Sequence, residues 1–200
     1  MNRKSLFVIV ILAVFSLTAN AQERYHQEQA KAENRPDWSI GTNIVDWLNF
    51  GTMNVEASVA VARHVTVNAK YKYNPWTYNS SNRDSQLQNR QNTIKAGVRW
   101  WPWHIYSGWW FCFNAQYQEY NRGGVIKRRA EEGDAFGLDV GAGYTLMLHK
   151  NFNLEFGVSG WGGYTAYTTY ECTRCGKIIE GGNKWFLLPN EVIFGVVWIF

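Results

Sequence analysis

The chain has 200 residues, a length that suits one domain, with 46% hydrophobic residues, 16% aromatic residues and a formal net charge of +4. Leaving out Arg3 and Lys4 of the leader described next, 18 Lys and Arg face 16 Asp and Glu, too even a balance to argue for nucleic acid as a partner. No run of 18 apolar residues follows the leader, so no membrane-spanning helix is expected there.

Residues 1–21 read as a cleavable export signal. Arg3 and Lys4 form the positive start, Leu6 to Phe15 the apolar stretch, and Ala19-Asn20-Ala21 the small-residue cleavage site. An uncleaved anchor is the alternative, but the apolar stretch is short for a spanning helix. Residues 22–37 are polar and hold Pro36, which predicts a loose periplasmic segment before the domain at 38–200.

From Trp38 onward the chain alternates with period two, the signature of strands whose successive side chains face opposite sides. A first strand is expected near Trp38 to Val45. Met53, Val55, Ala57, Val59 and Val61 alternate with Asn54, Glu56, Ser58 and Ala60. Val65, Val67, Ala69, Tyr71 and Tyr73 alternate with Thr66, Asn68, Lys70, Lys72 and Asn74. The same rhythm runs through Ile94 to Trp101, Trp109 to Gln118, Phe136 to Leu148 and Phe152 to Ser159, and a last strand is expected near Glu191 to Phe200. Eight strands are the smallest usual number for a closed membrane barrel. The fold expected is therefore all-β: an eight-stranded antiparallel up-and-down transmembrane β-barrel. A lipocalin-like soluble barrel is the rival, with its apolar face turned inward. Glycines and mid-strand charges on the polar face, and Trp and Tyr at the strand ends, favour the membrane form.

The expected connections alternate in length. Ala62 to His64, His104 to Ser107 and His149 to Asn151 read as short periplasmic turns. Thr77 to Arg90, Asn121 to Gly133 and Glu171 to Pro189 read as long outer loops, and the stretch from Trp47 to Gly51 as one more short turn. An even strand number then leaves both termini in the periplasm, with the barrel in the outer membrane of a Gram-negative bacterium.

Eight charges fall mid-strand on the polar face: Glu56, Lys70, Lys72, Lys95, Arg99, Asp139, Glu155 and Glu191. An eight-stranded bore is narrow enough to be filled by side chains, and a lone buried charge is costly. These groups are expected to pair and plug the lumen; an ion path or a ligand site is the alternative. Arg122, Lys127, Arg128 and Arg129 form a basic cluster, either a solvated loop or a contact for lipopolysaccharide phosphates.

Gly195, Trp198 and Phe200 resemble the C-terminal insertion signal read by barrel-assembly machinery, which suggests recognition by strand pairing. Cys172 and Cys175 are expected to form a loop disulfide rather than half a zinc site or a redox pair, and Cys112 reads as a small lumen-facing residue. Of the four histidines, His64, His104 and His149 fall at the expected periplasmic turns and His26 lies before the barrel. An outer-rim active site would then lack its base, so no catalytic residue, metal or cofactor is expected.

The stretches Thr42-Asn43, Val55-Glu56, Gly137 to Tyr144 and Val196-Val197-Trp198 resemble those of the domain of unknown function 3575 family, an uncharacterised group of Bacteroidota outer-membrane proteins. The resemblance spans Trp38 to Phe200. Leu188-Pro189-Asn190-Glu191 stands where that family tends to carry a Gly-Pro-Thr-Lys-like turn, and keeps only the proline. The resemblance implies an outer-membrane location and brings no catalytic residues. The function expected is a structural or interaction barrel whose outer loops meet lipids, lipopolysaccharide or a surface or envelope protein. A narrow channel or transport accessory is the alternative, and a membrane-embedded lipid-modifying enzyme is less favoured.

Overall fold

The computed structural model describes residues 38–78, 86–124, 129–173 and 176–200. The expected signal peptide and N-terminal segment, and with them Lys127, Arg128 and Cys175, lie outside the described residues. The elements are β1 (Trp38–Asn43), α1 (Ile44–Leu48), β2 (Met53–Ala62), β3 (Val65–Asn74), β4 (Thr77–Tyr78), β5 (Leu87–Trp100), β6 (Gly108–Gly123), β7 (Ala130–His149), β8 (Phe152–Tyr170) and β9 (Ile178–Ile199). All strand pairs are antiparallel. Sequence neighbours pair around the sheet, β1 pairs with β9, and β3 pairs with β5 across the small β4 ribbon. The eight long strands therefore close into an up-and-down barrel with no open seam. No described helix is long and apolar enough to cross a membrane, which does not bear on strands.

The register gives the barrel its stagger. Trp198 of β9 pairs with Ile40, which pairs with Ala57, then Ala69, Ala96, Ala115, Leu138 and Gly162. Gly162 then pairs with Leu187, so the path returns to β9 far above its starting point. Such an offset tilts the strands against the barrel axis.

Alternation sorts the side chains inside out. In β3, Thr66, Asn68, Lys70, Lys72 and Asn74 are buried, while Val67, Ala69, Tyr71 and Tyr73 are exposed. In β6, Trp110, Cys112, Asn114, Gln116 and Gln118 are buried against exposed Trp109, Phe111, Phe113, Ala115 and Tyr117. At the short-turn end the exposed belt finishes in Trp38, Trp100, Trp109, Trp198 and Phe200. Towards the other end it carries Tyr71, Tyr73, Tyr117, Phe136, Tyr164 and Trp185.

The connections differ from expectation in three ways. The stretch after β1 is no simple turn: Asn43 caps α1, its side chain accepting from the Val45 amide at 3.2 Å. The same Asn43 oxygen accepts from the Phe194 amide at 3.0 Å, tying helix, first strand and last strand together. Second, most of Glu171 to Pro189 is strand rather than loop, because β9 starts at Ile178 and pairs with β8 throughout. β6 and β7 likewise extend into the expected Asn121 to Gly133 loop. Third, the residues between β5 and β6 fold back into the bore. Trp101, Tyr106 and Trp110 are buried there as an aromatic stopper, and the Asn153 amide donates to the Tyr106 carbonyl at 2.7 Å.

Glycine makes that stopper fit. A Cβ on Gly143 would lie 2.3 Å from Trp110 Cζ2 and 2.2 Å from the Phe156 carbonyl oxygen; on Gly157 it would lie 2.9 Å from Trp110 Cη2. Neighbouring β7 and β8 thus leave a slot for one indole. Gly143→Ala is expected to destabilise the barrel by about 1–3 kcal/mol through overpacking, measured as a lower urea midpoint. An unchanged midpoint would mean that the slot is slack.

Candidate functional site

The bore is built in layers above the stopper. Its cations come from two neighbouring strands, Lys70 and Lys72 from β3 and Lys95 and Arg99 from β5, while most carboxylates come from the opposite wall. Pairing therefore crosses the lumen and braces it. In the lower layer Arg99 donates to Glu56 of β2 at 2.6 Å and to Glu155 of β8 at 2.9 Å. Thr145 also donates to Glu155, at 3.2 Å. The Arg99 guanidinium lies 4.3 Å from the centre of the Trp110 ring, joining the charged layer to the stopper.

The upper layer turns on Glu191. Its carboxylate reaches Lys72 at 2.5 Å, Lys70 at 2.8 Å and Lys95 at 3.1 Å. Lys95 also meets Asp139 at 3.1 Å, and Asp139 accepts from Asn190 at 2.5 Å and Asn114 at 2.9 Å. The last member is Asp46 of α1, at 3.0 Å from Lys72 and 3.4 Å from Lys70. Beside Arg99 and Glu155 lies a void of about 20 Å³, room for about one water. Charges packed this way act as filling, and the pairing compensates much of their desolvation.

All eight charges named from the sequence thus face one bore. Asp46 was missed, and with it the count becomes five carboxylates to four cations among the described residues. Its signal was there: Asn43 stands three residues before Asp46, a spacing that marks helix starts.

The long-loop end is open. A cavity of about 540 Å³ lies in this mouth, with Arg122 and Arg129 of the basic cluster on its wall beside Trp161, Leu188 and Asn190. On the sheet beyond it, Tyr167 and Tyr170 donate to Glu180 and Glu132, and these carboxylate acceptors raise both phenols above their ordinary value. His64, His104 and His149 all lie at the opposite, short-turn end. No group of three His, Cys, Asp or Glu among the described residues could hold a metal. Cys172 is disulfide-bonded, whereas Cys112 is a buried free thiol. Gly195, Trp198 and Phe200 lie at the β1–β9 seam: Gly195 pairs with Asn43, Trp198 with Ile40, and the Phe200 amide donates to the Trp38 carbonyl at 2.9 Å.

A family model described as protein of unknown function (DUF3575) matches residues 7–200. The chain belongs to that family. The match extends the resemblance seen from Trp38 onward back to residue 7, so it covers nearly the whole chain. No curated protein and no solved structure matches significantly. In this DUF3575 member, the bore, the belt and the mouth are the features that bear on function.

Proposed function

We infer that the protein is an outer-membrane barrel with a structural or interaction role, exported by its leader and plugged by its own ion pairs. One observation carries this reading: the polarity of the barrel is inverted. Lys70, Lys95, Arg99, Asp139, Glu155 and Glu191 are buried in the bore, while Val67, Ile94, Phe113, Val140, Val158 and Trp198 are exposed outside. In water such an outer surface would be a large unpaired apolar patch. Against hydrocarbon it is the favourable arrangement, with Trp and Tyr near both edges of the belt.

Insertion by barrel-assembly machinery fits the seam, where the last strand must find an edge before β1 closes the ring. The charged outer end suits contact with lipopolysaccharide or a second envelope protein through Arg122, Lys127, Arg128 and Arg129. Packed ion pairs and the aromatic stopper speak for a closed lumen over a channel. His64, His104 and His149 sit at the short-turn end, away from the open mouth, so none of them is placed to act as a base there.

Vesicle flotation tests the reading. Refolded full-length chain is expected to float with phospholipid vesicles and to resist extraction by carbonate and urea. Vesicles containing lipopolysaccharide should retain more protein than plain ones, and neutralising the four basic residues should remove that difference. Protein that stays soluble and monodisperse without detergent or lipid would overturn the membrane assignment.

A further inference from the structure

We propose that the open mouth of the barrel is a binding site for an acidic saccharide. Its volume, about 540 Å³, falls within the range of small-molecule sites. The chemistry of its wall narrows the class. Asn49, Asn89, Gln91, Gln118 and Asn190 line it with amides, which offer donors and acceptors together. That suits a ligand bearing many hydroxyls, each both donor and acceptor. Trp161, Leu188 and Phe50 supply apolar surface on the same wall, matching the C–H faces of sugar rings.

The charge on the wall selects an acid. Arg122 and Arg129 are exposed and form no ion pair among the described residues; Arg122 lies over the Tyr120 ring at 5.3 Å. The one carboxylate on the wall, Glu131, is already engaged, by Lys184 at 3.1 Å and by the Tyr120 hydroxyl at 3.0 Å. Two guanidiniums are thus left facing the cavity, and a guanidinium fork recognises a carboxylate in two-point fashion.

An unpartnered donor points the same way. Trp161 is 7% exposed, its ring meets Phe186 edge-on at 4.6 Å, and its indole N–H is buried without an acceptor. Such groups are rare because they are costly. A bound hydroxyl or carboxylate oxygen would supply the missing acceptor after a small shift of the ring.

The membrane reading enters this proposal only through the side that the mouth faces. Binding in micelles is therefore independent of vesicle flotation, and the two can fail separately. Calorimetric titration of the folded full chain in neutral detergent, at low salt, tests the site with digalacturonate and uncharged galactobiose. Digalacturonate is expected to bind about tenfold more tightly than galactobiose, the worth of one added charge-assisted contact. In the Arg122→Gln/Arg129→Gln variant that preference should vanish. Trp161→Phe keeps the ring and removes the donor, and should weaken both sugars alike by about three- to tenfold. Circular dichroism checks that each variant keeps its strand content. Competition by purified lipopolysaccharide would place the acidic sugar in the envelope, and its absence would place it among soluble saccharides. No measurable binding of either sugar at up to about 10 mM, or an unchanged preference in the double variant, would overturn the proposal.

Discussion

Glu191→Gln is expected to destabilise the barrel by about 3–5 kcal/mol, the usual cost of breaking one side of a buried ion pair. The substitution keeps the size and planarity of the side chain, so packing is nearly unchanged and the loss is one of charge. Glu191 faces three lysines, at 2.5, 2.8 and 3.1 Å. Without it, Lys70, Lys72 and Lys95 share only Asp46 and Asp139 in the upper layer among the described residues. The measurement is the urea unfolding midpoint of the folded barrel, followed by tryptophan emission. Glu131→Gln is the comparison, because it removes an ion pair whose partners are roughly two-fifths exposed. Solvent screens that pair, and its loss should cost less than about 1 kcal/mol. Lys70→Met added to Glu191→Gln should recover part of the deficit, since the second change removes one of the uncompensated cations. Equal midpoints for Glu191→Gln and Glu131→Gln would show that the bore is hydrated and that its ion pairs do not brace the wall.

How far the fold could be read depends on which forces are local. Period-two alternation is a property of the backbone, so Val65 to Asn74 and Trp109 to Gln118 showed both their strands and their faces. The charged bore was legible for the same reason: each of its eight strand charges falls on the polar face. What alternation cannot rank is which charge meets which, because cross-lumen neighbours are set by register and stagger. Glu191 meets Lys70 across 121 positions of sequence. Asp46 escaped because it leaves the strand pattern on a single short turn of helix, where no periodicity has room to develop. The upper half of β9 escaped because Gly181, Gly182 and Pro189 resemble loop punctuation. There the backbone pairs with β8 while both faces stay largely exposed, Leu187 at 83% on one and Leu188 at 53% on the other. The mouth cavity was illegible as a site. Trp161, Arg122 and Asn190 belong to three different strands, and only ring closure sets them on one wall.

Arg99→Met is the second substitution with a large expected effect, again about 3–5 kcal/mol. Here two carboxylates lose one shared cation, because Glu56 and Glu155 both depend on Arg99 among the described residues. Trp110 also loses the guanidinium above its ring. Neutralising the whole layer tells a different story. In Glu56→Gln/Arg99→Met/Glu155→Gln no uncompensated charge remains, and buried ion clusters replaced by neutral groups of similar volume are often as stable as before. The triple variant is therefore expected to unfold close to the parent, far from additive with the Arg99 change alone. Planar-bilayer recording then separates a brace from a gate. The parent and the triple variant are both expected to be silent, since Trp101, Tyr106 and Trp110 still stopper the short-turn end. Unitary steps from the folded triple variant, absent in the parent, would mean that the Arg99 layer is what holds the path shut, and would move the protein from plugged scaffold to gated channel.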